Sequence, residues 1–211
     1  MSNYSKIFRF NTKVIHNWID TNNLPNLKTT KKKNKYLRFL FLGVVGVAQD
    51  HELLFKIIKY CNDNNFKSTF YFIGSGSKKE NLIKLTSTYK NVFFFPEKSI
   101  FKIHKILKKC DVCLSTLSKN FYSENFPGKI LTYMANNKTM LIHSPNNNFL
   151  KDLIDSHSLG FYSSEEVDLY NNIDFIFSNY QLSKKKGENG LKVVKKYFSC
   201  ENAQKILFNI Q

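Results

Sequence analysis

The chain has 211 residues, 42 % of them hydrophobic, with 20 phenylalanines. That is enough apolar material for one substantial core, which excludes a disordered chain, and no apolar run reaches the roughly 18–20 residues of a membrane span. The net charge is +16, almost all of it from lysine, since Arg9 and Arg38 are the only arginines.

The lysines are spread along the whole chain. A compositional bias towards Lys, Asn, Ile and Phe accounts for them, as does attraction to an anionic membrane surface; no nucleic-acid partner is expected. The polar stretch Met1 to Thr12 lacks the apolar core of a signal peptide, so the expected location is cytoplasmic, at most peripheral at the inner face of a membrane. Cys110 and Cys113 form a C-x-x-C. Without a second Cys or His pair at zinc spacing it reads as two core thiols.

In chain order, residues 1–35 hold a strand-like stretch, Thr12 to Ile15, then His16-Asn17-Trp18-Ile19-Asp20. A Pro/Asn/Lys-rich linker follows from Thr21 to Lys35. From Tyr36 onward the pattern alternates. Leu37 to Leu42 is a continuous apolar run, as a buried parallel strand requires. Asp50 to Asn62 has helical spacing at Leu53, Leu54, Ile57, Ile58 and Cys61. Thr69 to Ile73, Val92 to Phe95, Val112 to Leu117, Thr139 to His143 and Gly160 to Tyr162 read as further strands. Lys78 to Thr88, Ile100 to Lys109, Gly128 to Asn136 and Phe149 to Ser156 read as the helices between them. The remainder is expected to be helical over Glu165 to Ser178, Gly187 to Tyr197 and Cys200 to Ile210.

Such β-α-β alternation predicts an α/β fold with a doubly wound, Rossmann-like parallel sheet. Ligands of such sheets bind at the carboxyl ends of the strands, where strand order reverses. The loops to watch are therefore Gly43 to Gln49, Gly74 to Ser77, Pro96 to Ser99, and Ser118 to Lys129.

Gly43 and Gly46 follow the first strand, and Gly74 and Gly76 follow the second. Glycines there permit close backbone approach to a diphosphate, although strand-end glycines also serve purely steric ends. Pro127 suits the first turn of a helix. Gly128 and Lys129 then offer open backbone donors and a cation at one helix terminus, a good anion site; the plainer reading is a capped helix with core residues Ile130, Leu131 and Met134.

Together these elements resemble the C-terminal domain of a retaining GT-B glycosyltransferase of the GT4 family. The closest resemblance is to the bacterial branch that builds lipid-linked surface polysaccharides. Residues 16–20 are similar to that family's P-N-G-V-D, and 39–49 to F-V-G-N-I-G-x-A-Q. Residues 72–76 are similar to I-V-G-D-G, and 127–135 to P-x-K-x-x-E-Y-M-A. The resemblance implies the following roles. Glu124 opens an E-x7-E motif and contacts the donor sugar or its diphosphate. Thr132 stands where a second carboxylate binds ribose. Lys129 pairs with the diphosphate, with Gly128 and Pro127 beside it. Gly43, Gly46 and Gln49 line the phosphate or sugar side, followed by Gly74 and Gly76. Glu97 and Lys98, in the Pro96 to Ser99 loop, flank the base.

The chain departs from the pattern at Val47, where a Lys often stands, and at Asn137-Lys138-Thr139, where the family has G-x-P. The implied reaction is retaining transfer from a nucleoside diphosphate sugar, UDP-linked, to a lipid-linked or saccharide acceptor. No cofactor beyond that donor is expected. No metal is implied, since Asp-x-Asp is absent from the sequence. Residues 1–35 would be a leading strand and linker from an N-terminal acceptor domain, and 36–211 the donor-binding domain. Two readings stay open: half of a split transferase working with a separate N-terminal GT-B domain, or a nucleotide-sugar-binding remnant without catalysis.

Overall fold

The computed structural model describes residues 15–22, 24, 36–120, 126–145 and 147–208. Nearly all of the expected Thr12 to Ile15 strand, most of the linker and Glu124 lie outside the described residues. Six strands form one sheet: β1 Leu37–Leu42, β2 Ser68–Ile73, β3 Val92–Phe95, β4 Val112–Thr116, β5 Thr139–His143 and β6 Gly160–Ser163. Their order is β3-β2-β1-β4-β5-β6, and every neighbouring pair is parallel. This is the expected doubly wound sheet, with strand order reversing between β1 and β4.

Nine helices complete the described residues. They are α1 His51–Asp63, α2 Lys79–Leu85, α3 Ile100–Lys109, α4 Gly128–Ala135, α5 Asn148–His157, α6 Glu166–Ser178, α7 Tyr180–Gly187, α8 Gly190–Tyr197 and α9 Cys200–Phe208. The strands are apolar throughout because helices cover both faces of the sheet. Leu40, Leu42, Met140 and Ile142 pack with α3, α4, α5 and α8 on one face. Phe39, Phe41, Phe70 and Phe72 pack with α1, α2 and α6 on the other. On that second face, Phe39 stacks on Phe70 at 4.9 Å and Phe72 on Phe94 at 5.0 Å. Asp50 starts α1 by accepting the Leu53 amide at 2.8 Å, and Asn147 starts α5 by accepting that of Leu150 at 2.9 Å.

Helix α7 is the one element the sequence pattern did not announce. Its residues are largely polar, with Ser183 and Gly187 the buried positions. Tertiary contact holds it: Thr139 Oγ1 donates to the Ser183 carbonyl at 2.9 Å, and Gly187 lies directly on the backbone of residues 138 and 139. The second helix is also shorter than expected, ending at Leu85, with turns following it. Cys110 and Cys113 are buried, without a disulfide. Burial pushes the Cys113 thiol well up, so it is a core group. Among the described residues, no helix is long and apolar enough to cross a membrane.

At the reversal point β1 and β4 pair only as far as Phe41 and Leu114. Beyond that, the fully buried Tyr133 of α4 inserts its hydroxyl between them. It accepts from the Leu42 amide at 2.9 Å and donates to the Leu114 carbonyl at 3.2 Å. Backbone groups that the diverging strands would leave unpaired are thereby satisfied. Tyr133→Phe is therefore expected to lower stability by about 1–3 kcal/mol, since it orphans a buried amide. Urea unfolding with an unchanged m-value checks this.

Candidate functional site

The crevice opens above Tyr133. Lys129 lies one helical turn before that tyrosine, hence on the same face of α4. Its side chain crosses the strand ends to the far face of the sheet. There the ammonium sits 3.8 Å from the centre of the Phe41 ring and donates to Gln49 Oε1 at 2.9 Å. Both partners are uncharged. Burial without a compensating carboxylate pushes the Lys129 pKa down from 10.5 to about 7. The amine is thus poised to change charge near neutrality, and an anion arriving in the crevice would favour its charged form.

The loops after β1 and β2 lie against each other beside this lysine. Gly43 has φ +95°, which glycine alone adopts without strain, and a Cβ there would stand 3.9 Å from Lys129 Cε. A Cβ on Gly74 would meet the Gly43 carbonyl oxygen at 2.0 Å, and one on Gly76 the Val45 oxygen at 2.3 Å. The Gly43 and Val45 amides donate to the carbonyls of Ile73 and Ser75 at 2.9 and 2.8 Å. The steric reading therefore holds for Gly74 and Gly76: they let two loop backbones touch. Gly46 accepts from the Gln49 amide at 3.1 Å, making the turn that presents the Gln49 side chain to Lys129. Ser75 Oγ donates to Glu97 at 2.6 Å, which ties the loop after β3 to the loop after β2.

Gly128 and Thr132 share a different face of α4. They line a cavity of about 490 Å³ with Leu131, Asn17, Trp18 and Ile19. A Cβ on Gly128 would meet nothing within 4 Å among the described residues. Pro127 is the N-cap residue of the helix and offers no side-chain hydrogen bond to its first amides. Residues 16–19 are held in place from three sides. Asn17 Nδ2 donates to the Phe126 carbonyl at 3.2 Å, the Ile19 amide donates to Phe198, and His16 stacks on Phe149 at 4.6 Å.

Lys98 does not join this group. It lines a cavity on the α3 side of the sheet with Arg38, Tyr71 and Phe95. Glu124 falls outside the described residues. The structure thus brings Gly43, Gly46, Gln49, Gly74, Gly76, Glu97 and Lys129 into one chain of contacts. Pro127, Gly128 and Thr132 adjoin it through α4. Sequence reasoning missed Phe41, Tyr133 and Trp18 as site residues. The first two look like ordinary core positions, and the single tryptophan was the one visible signal for the third.

The family of glycosyl transferases group 1 matches residues 25–193. No curated protein matches the sequence. Among solved structures, the chain is similar to HepE of Anabaena, solved with UDP and glucose, at TM-score 0.74 and 16 % identity; the match covers 94 % of this chain and 56 % of that one. It is similar to TarM of S. aureus, solved with UDP, at TM-score 0.72 and 14 % identity, over 98 % of this chain and 41 % of that one. It also resembles the sucrose-phosphate synthase of Thermosynechococcus elongatus, at TM-score 0.66 and 16 % identity, over 82 % and 44 %. At such identities the likeness speaks for the fold, and the chain spans about half the length of these structures. The family match over most of the chain, laid on a parallel sheet shared with solved glycosyltransferases, establishes that the chain belongs to the glycosyl transferases group 1 family.

Proposed function

We propose that the chain is the donor-binding half of a retaining glycosyltransferase and holds a nucleoside diphosphate sugar, UDP-linked, at the β1/β4 crevice. The observation that carries this reading is Lys129: a cation set in a strand-end crevice, with a ring face and a neutral amide as partners. A diphosphate beside it would supply the missing negative charge. The amides at Gly128 and the start of α4 would add partial positive charge from the helix N-terminus. Thr132, one turn after Gly128 on the adjoining face of α4, would bond the ribose, and Glu124 the donor sugar. Gln49 would steady Lys129, and the loops holding Gly43, Gly46, Gly74, Gly76 and Glu97 would wall the pocket. UDP in the solved HepE and TarM structures supports the choice of nucleotide.

In transfer, the bond from the anomeric carbon to the diphosphate oxygen breaks, a bond to the acceptor oxygen forms on the same face of the sugar, and the acceptor hydroxyl's proton passes to the departing diphosphate. Charge develops on the departing diphosphate, where a fixed ammonium is most effective. The acceptor would be a lipid-linked or other saccharide, and a second domain, in the same protein or a separate one, would hold it. Binding without transfer is the competing reading, favoured by Val47 and Thr132 standing where the family pattern has Lys and a carboxylate.

UDP at millimolar concentration is expected to raise the thermal midpoint, and Lys129→Ala to weaken the stabilisation by about 1–3 kcal/mol. Failure of UDP, GDP and ADP alike to shift the midpoint would remove the donor site.

The pH dependence has a definite sign. Free Lys129 loses its proton as pH rises through about 7, whereas the diphosphate-bound form keeps it. UDP is fully ionised above its second phosphate pKa near 6. Affinity should therefore fall between pH 7.5 and 9, by up to about ten-fold per unit. Calorimetry in buffers of differing ionisation enthalpy should show uptake of up to one proton. In Lys129→Met both effects should vanish; an unchanged slope would show that another group takes the proton.

A further inference from the structure

We propose that the outer arc of α3 and the adjoining exposed rings of β3 form a docking surface for an anionic lipid bilayer. The inner side of α3 is anchored by Leu107 in the core and by His104 Nδ1 at 2.9 Å from Asn136 Oδ1. Its first turn projects Ile100 and Phe101, which are 57 % and 65 % exposed. The residues behind them on the outward arc are Lys102, Lys105, Lys108 and Lys109, and the helix contains no carboxylate. Lys105 Nζ lies 4.2 Å from the centre of the Phe101 ring, so cation and aromatic share one face.

The apolar surface continues onto the sheet. Phe93 and Phe95 on edge strand β3 are 43 % and 37 % exposed, and Tyr71 of β2 stacks between them at 5.7 and 6.4 Å. Between these rings and α3 a cavity of about 720 Å³ is walled by Tyr71, Phe95 and Ile106 together with Arg38, Lys98 and Lys109. Glu97, the carboxylate of the connecting loop, is turned to Ser75.

Exposed phenylalanines and an isoleucine set among lysines, with no acidic group along the helix, match the chemistry of a bilayer interface. Apolar side chains there enter the acyl boundary while cations meet anionic headgroups. The charge complementarity selects a negatively charged lipid surface over a second copy of this basic chain. The inference is independent of the donor-site reading, because it uses none of that site's ligand-facing groups.

The test is co-sedimentation of the full chain with phosphatidylcholine vesicles, with and without one-third phosphatidylglycerol. Binding is expected to the anionic vesicles alone and should collapse at roughly half-molar salt, where screening is nearly complete over a few ångströms. Ile100→Ser with Phe101→Ser should weaken partitioning ten-fold or more at an unchanged thermal midpoint. Lys102→Glu with Lys105→Glu should weaken it by at least about five-fold per lysine. Lys84→Glu with Lys185→Glu, on α2 and α7 of the other face, should leave binding within two-fold. Equal loss in that control pair would show a diffuse charge effect and overturn the proposal, as would absence of binding to anionic vesicles. A dimer abolished by the Ile100 and Phe101 substitutions, with vesicle binding unchanged, would assign the patch to a second copy and overturn it too.

Discussion

Two parallel strands that separate leave backbone groups with nothing to bond, and in this chain the Tyr133 hydroxyl takes them. It holds the Leu42 amide and the Leu114 carbonyl at the point where β1 and β4 part. A phenol can accept and donate at once, which is why one side chain satisfies both strands. The same contact fixes α4, because Tyr133 is part of it. The crevice, the helix that borders it and the cation one turn upstream are therefore set by a single buried group.

Lys129 gains its position from that anchor. The stem passes over the strand ends, and the ammonium rests on Phe41, a residue whose ring packs with the opposite face of the sheet. Protein groups around it offer a π-face and an amide oxygen, and these do not repay the loss of water. An amine kept in such a place is under-compensated by the protein groups around it, which is the physical cause of its lowered pKa. The neighbouring glycines have a humbler part. Gly74 and Gly76 bring the loops after β1 and β2 into backbone contact, giving the crevice a firm wall.

The cavity beside Gly128 and Thr132 shows how distant parts of the chain complete the site. Asn17, Trp18 and Ile19 reach it because Ile19 pairs with the backbone at Phe198 and Cys200, nearly the whole described chain away. An aromatic group of His16, Phe126, Phe149 and Phe198 packs where these segments meet. The start of α4 is thus fixed by residues from both ends of the described chain.

The sequence alone determined the alternation of strands and helices, since a strand buried on both faces must be apolar throughout and an amphipathic helix must repeat near 3.6 residues. With right-handed crossovers, this led to the doubly wound sheet and to the loops after β1, β2, β3 and β4. The motif around Pro127, Gly128 and Lys129 was also legible, because local chemistry defines a helix start. Tertiary structure decided what no local pattern encodes. Helix α7 exists through its contacts with the start of β5, so its polar sequence gave no periodic signal. Lys98 fell on the α3 side of the sheet, since neighbours in a loop can face different cavities. Phe41 and Tyr133 became site residues only when two strands diverged above them. Their roles depend on groups brought near by folding, whereas hydrophobic periodicity reports only which face of an element is buried.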